Sequence, residues 1–200
     1  MDIGPLTKIK AARAAEVCAA LQLTPEARRL LGQDDPPAAF LGALVEAGLY
    51  TDAVAFMAHG LPKREATWWA CLAARTALPP EPEPALTAAL EAAEAWVYKP
   101  TDAARRDAQA KGAAAGLSTA PAALAAAAAG WSGGSLTPAD APVVPPSDAL
   151  TPTAVYTAVL MAAAAPAEPE AIRARYRLFL EQAVDIAKGG TGRVQAPPQS

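Results

Sequence analysis

One histidine and two cysteines in 200 residues leave little material for site chemistry. Any histidine-based triad or general base would have to use His59. That residue falls near a helix C-terminus, where the dipole favours a cationic imidazole, with Asp52 on the same face. It reads as a structural surface histidine. Cys18 and Cys71 both sit inside helical patterns and have no ligand spacing with His59. They read as buried free thiols, not as a disulfide or a zinc pair. No metal or cofactor is expected. Charge is also sparse, with 18% charged residues and a net charge of −3. So mild a balance implies no polyanion and no nucleic-acid partner.

Long apolar runs are missing too. The most apolar windows, Ala120–Ala129 and Ala154–Ala165, fall well short of the ~20 residues that span a bilayer. The opening MDIGPLTKIKAARAAE turns charged at once and offers no signal-peptide run. A soluble, cytoplasmic protein with no membrane partner is the expectation. No stretch alternates with period two for long enough to make a strand, and Val143-Val144 stands between prolines. No fixed repeat period supports a solenoid. The glycine-rich stretches Ser132–Ser135 and Gly189–Gly192 neither follow a strand nor precede a lysine, which argues against a phosphate loop. Carboxylates come in pairs that read as a cap (Asp34-Asp35), a linker (Glu81, Glu83) and a solvated helix face (Glu91, Glu94).

What the chain does have is helix signal. The stretch Leu49–Leu78 reads as two helices joined at Gly60-Leu61-Pro62, Gly60 ending the first and Pro62 starting the second. In the second, Leu61, Glu65, Trp68, Trp69, Leu72 and Thr76 fall within one arc at ~100° per residue. Two adjacent tryptophans, each able to bury roughly 150–250 Å², place this helix at the centre of the expected core. A bordering stripe, Arg64-Trp68-Cys71-Arg75, puts arginines beside apolar surface, where each must snorkel or find an acid. Asp52 and Glu46 are the candidate acids. The stripe reads either as a rim ion pair or as an anion-binding groove beside tryptophan.

The rest of the chain supplies further helices: 6–21, a short one after the capping Thr24-Pro25-Glu26, and one capped by Asp34 or Asp35 and ended at Gly48. Beyond the PPEPEP connector come helices carrying Leu86 to Val97 and spanning 102–115, then an almost pure alanine helix anchored by Trp131. Ser132 to Leu150 is the one long irregular segment. Its spaced Leu136, Val143, Val144 and Leu150 suggest an extended strap that ties the alanine helix to the C-terminal pair; a partner-binding loop is the alternative. Two more helices follow, the last over 170–187, and the tail from 189 to 200 is expected to be disordered. The expected fold is all-α: a single domain over 5–188, about ten helices stacked as antiparallel hairpins, with one long Pro/Gly-rich surface loop.

The segments GLYTDAVAFMAHGLPKREATWWACLAAR (48–75), ALEAAEAWVYKPTDAARRDA (89–108) and GWSGGSLTPADAPVVPP (130–146) together resemble a bacterial family classed as a domain of unknown function. WWACLAAR and WSGGSL are its signatures, and the likeness runs to about Lys188. The resemblance implies no activity. It implies a loose link to contact-dependent secretion genes, type VI in particular, and the EAWV helix resembles helical immunity proteins. The expected function is therefore a non-enzymatic protein-interaction role, as an accessory or chaperone-like adaptor of secretion. Its partner would be a secretion component, or a toxin if the protein is an immunity factor. An enzyme built only on carboxylates and arginines is the third reading. Arg64, Trp68, Trp69, Arg75 and Trp131 are the candidate interaction or rim residues.

Overall fold

Proline is suited to the first turn of a helix because its missing N–H is not needed there. Five helices open in this way, at Pro25, Pro37, Pro84, Pro121 and Pro169. The computed structural model describes residues 1, 3–116, 120–138, 140–165 and 168–194. Among them run α1 (Ala14–Cys18), α2 (Pro25–Leu30), α3 (Pro37–Glu46), α4 (Tyr50–Gly60), α5 (Lys63–Ala77), α6 (Pro84–Tyr98), α7 (Asp102–Ala114), α8 (Pro121–Gly130), α9 (Leu150–Ala164) and α10 (Pro169–Ala187), and no strand.

The alanine helix α8 lies innermost. It packs against α5, α6, α7 and α9, and Ala122 to Gly130 are all buried. A helix apolar on every side belongs in the middle of a domain. Successive helices α5 to α8 pack side by side as hairpins, α9 lies against both α5 and α8, and α10 crosses α4, α5 and α9. Helices α1 to α3 close the α4 side. Alanine lets backbones come close. An added Cβ at Gly112 of α7 would sit 3.1 Å from both the Ala123 carbonyl and the Ala126 Cβ of α8. Larger side chains fill the periphery of this core, with Phe40 and Phe56 meeting edge to face at 5.2 Å.

Several local expectations change. Helix 6–21 shrinks to α1, because residues 7 and 8 bond to α10 instead of to their own turn: Lys8 N–H and the Thr7 hydroxyl both donate to the Ala187 carbonyl. The apolar spacing there serves an extended stretch, in which Leu6 and Ile9 are still buried. Neither Asp34 nor Asp35 caps α3, whose N-cap is Pro36. The Asp35 carboxylate accepts instead from Gly32 N–H at 2.8 Å. Gly48, at φ 70°, ends α3 in the left-handed turn. Gly60 is ordinary helix, and its need for glycine is space, since a Cβ would lie 3.1 Å from Ile9.

The strap also differs. Val143 and Val144 are 76% and 46% exposed, so they anchor nothing apolar. Hydrogen bonds hold the loop instead, and they tie it to α7 and the start of α5. The Ser135 hydroxyl accepts from Val144 N–H at 2.9 Å and Thr137 N–H at 3.2 Å. Arg106 and Gln109 of α7 donate to the Thr137 and Leu136 carbonyls, and Lys63 pairs with Asp148 at 2.8 Å. Of the tail, 189–194 has a defined path and 195–200 lies outside the described residues.

Candidate functional site

The face that α5 buries joins small side chains to a single indole. Ala66, Thr67, Trp69, Ala70, Cys71, Ala73 and Ala74 point inward, while Glu65, Trp68, Leu72 and Thr76 form the rim. The expected arc is therefore rotated by about one residue. Of its two tryptophans only Trp69 is core. It is fully buried, and its indole N–H donates to the Phe179 carbonyl at 2.7 Å.

Trp68 is only partly buried and gathers a surface site around it. At the C-terminal end of α6, Tyr98 is 65% exposed and its ring centroid lies 5.9 Å from that of Trp68. Arg64 is exposed and donates from Nε to the Val97 carbonyl at 2.6 Å, closing one of the bare carbonyls that end α6. Lys8 and Glu65 pair at 3.3 Å on one lip. A cleft of about 160 Å³ opens among Lys8, Arg64, Glu65, Trp68, Val97, Ile186, Gly189 and Gly190.

The chain beyond α10 folds over this site. Trp68 Nε1 donates to the Thr191 carbonyl at 2.7 Å. Gly192 N–H donates to the Asp185 carboxylate at 2.8 Å. The Arg193 guanidinium carbon stands 5.7 Å from the centroid of the Trp68 ring, within cation–π range. Glycine is required along this path. Gly189 and Gly192 have φ of 97° and 71°, a Cβ on Gly190 would run into the Asp185 carboxylate, and one on Gly192 would reach 2.7 Å from Leu72.

Of the residues singled out in sequence, the structure thus unites only Arg64 and Trp68. Trp69 is structural. Trp131 caps the C-terminal end of α8, half-buried. Arg75 pairs with neither Asp52 nor Glu46. It holds Glu94 of α6 through two bonds of 2.6 Å, a bidentate fork that raises its own pKa. Asp52 is buried and accepts from the backbone and hydroxyl of Thr24, fastening α2 to α4. The reason is reach: α5 packs far more extensively against α6 than against α4. Tyr98, Asp185, Gly192 and Arg193 were missed. The one available signal was the GGTG run, whose spacing fits glycines demanded by a folded path as well as it fits a disordered tail.

Elsewhere the reactive groups are subdued. Burial pushes the Cys18 thiol up to about 11 and the Cys71 thiol higher still, so neither is a thiolate near neutral pH. Burial lowers the His59 pKa, and its Nδ1 lies 2.9 Å from the Ala55 carbonyl, which requires the proton on Nδ1. Among the described residues no group of three His, Cys, Asp or Glu side chains could hold a metal ion, and no helix is long and apolar enough to cross a membrane. A larger groove, about 500 Å³, runs along the outer face of α10 between Glu170, Arg173, Arg177 and Glu181. Its two arginines stand between two glutamates, and it has no aromatic lining.

Residues 40–187 match the family of unknown function DUF6931. The chain belongs to this family. No curated protein and no solved structure matches it.

Proposed function

We propose that this DUF6931 protein is a non-enzymatic interaction module, an adaptor that docks a protein partner in bacterial secretion of the type VI kind, working in the cytoplasm. The observation that carries the reading is the surface group of Trp68, Tyr98 and Arg64. Tyr98 is 65% exposed beside a partly buried tryptophan. Tryptophan, tyrosine and arginine are the residue types that dominate binding energy at protein interfaces. Their rings present large rigid area with little entropy to lose, and the Lys8–Glu65 pair supplies a polar margin. The secretion link rests on the sequence resemblance of the WWACLAAR and WSGGSL segments.

Affinity purification of the tagged full chain from its native host tests the reading, with Tyr98→Ala and Arg64→Ala in parallel. A secretion-system component retained by the wild type and lost from both variants is the expected result. A toxin in that position would make the protein an immunity factor. A partner held equally by all three proteins would remove the Trp68–Tyr98 surface from consideration.

A further inference from the structure

The segment lying on Trp68 is held by its chemistry rather than by bulk. Its contacts read one short pattern. The Trp68 indole N–H takes a backbone carbonyl, that of Thr191, at 2.7 Å. The next residue must be glycine: its φ of 71° is left-handed, and Leu72 and Ile186 stand 2.7 and 2.8 Å from where a Cβ would be. Its N–H is taken by the Asp185 carboxylate at 2.8 Å. The residue after it must be cationic to use the indole face, as Arg193 does at 5.7 Å. A donor, a narrow slot, an acid and an aromatic face follow one another along the path of a backbone that bends at Gly192. Sequence-selective peptide sites are built from these parts.

We propose that this slot, walled by Trp68, Leu72, Asp185 and Ile186, is a recognition site for a glycine–basic peptide segment of the protein partner, bent at its glycine. The chain's own Thr191–Arg193 occupies it in cis as a stand-in. The proposal rests on the docking reading above and names what the partner presents. Several features make the stand-in releasable. The segment is rich in glycine, which loses the most freedom on ordering. Thr191 and Arg193 are exposed, and only Gly192 is buried. Segments with few buried apolar contacts open at low cost. A partner segment with the same pattern therefore competes for a site that is already shaped, while Tyr98 and Arg64 remain open beside it.

The test uses the full ¹⁵N-labelled chain and a synthetic capped peptide covering residues 188–194. Trp68 and Trp69 report separately through their indole N–H signals, one bonded to the tail and the other to Phe179 in the core. Gly192→Leu should move the Trp68 signal and leave that of Trp69 in place. The peptide should then bind Gly192→Leu saturably at Trp68. The wild type should answer roughly tenfold more weakly, because its tethered segment competes at high effective concentration. Peptides carrying Gly192→Leu or Arg193→Ala should not bind. If Gly192→Leu disturbs Trp69 as well, Arg193→Ala in the protein loosens the tail with the slot walls intact and serves as the second receiver.

An unchanged Trp68 signal in both protein variants overturns the proposal. So does equal binding of the parent and altered peptides. So does a wild-type dimer that Gly192→Leu dissociates, since the occupant would then be a second copy's tail. Partner capture lost in Tyr98→Ala, with no peptide binding, keeps the docking surface and rejects the slot. Peptide binding with capture unaffected by Tyr98→Ala keeps the slot and rejects the docking surface.

Discussion

Trp68 and Trp69 follow one another in the chain, and a helix turns them about 100° apart. That rotation puts one indole in the core against Phe179 and leaves the other at the surface under Arg193. Their substitutions should differ accordingly. Trp69→Ala empties a fully buried site and should cost about 3–5 kcal/mol. Trp68→Ala should cost less than that, because the ring is only partly buried and its one hydrogen bond goes to a glycine-rich end segment. Urea unfolding of the two variants checks this, and equal losses would place both rings in the core. Arg75 shows the same dependence on direction. Its position on a stripe was legible, but its acid, Glu94, lies on the helix that follows rather than the one that precedes.

At the scale of the element, alanine decides the packing. α8 contributes little side-chain area per residue, yet it is the helix that four others surround. What it contributes is closeness, and Gly112 marks one place where α7 and α8 approach closely. A larger side chain there has backbone in front of it, with the Ala123 carbonyl at 3.1 Å and Ala127 N at 3.3 Å. Gly112→Val should therefore lower stability by about 1–3 kcal/mol, the usual cost of overpacking. Gly133→Val, where nothing lies within 4 Å, is the control and should leave the thermal midpoint unchanged. Equal melting of the two variants would show that α7 can slide off α8 without loss.

At the scale of the whole molecule, the long loop is fastened by polar bonds and leaves its valines in water. Ser135 is the fastening point, buried and accepting from two backbone N–H groups. Around it, the buried Arg105 of α7 donates to Asp102, Gln109 and the Gly130 carbonyl. Removing one hydroxyl leaves two backbone donors without their acceptor. Ser135→Ala should raise thermolysin cleavage within 136–150 severalfold while the thermal midpoint moves little, since no helix depends on that hydroxyl. An unchanged digestion rate would mean that the remaining bonds, to α7 and to Lys63, hold the loop without it.

The helical class, the proline starts and the isolated thiols follow from local chemistry, and the sequence alone determined them. Propensity, missing N–H groups and the absence of two-residue alternation act within a few residues of each position. Three things waited for the tertiary structure. Which face of α5 turns inward depended on α8 and α9, the helices that pack against it. Which acid meets Arg75 depended on α6 running alongside α5. Whether GGTGR coils free or folds depended on Asp185 and Trp68 arriving from two different helices. Each is a contact between residues distant in the chain, and only closure of the whole helical array brings them within reach.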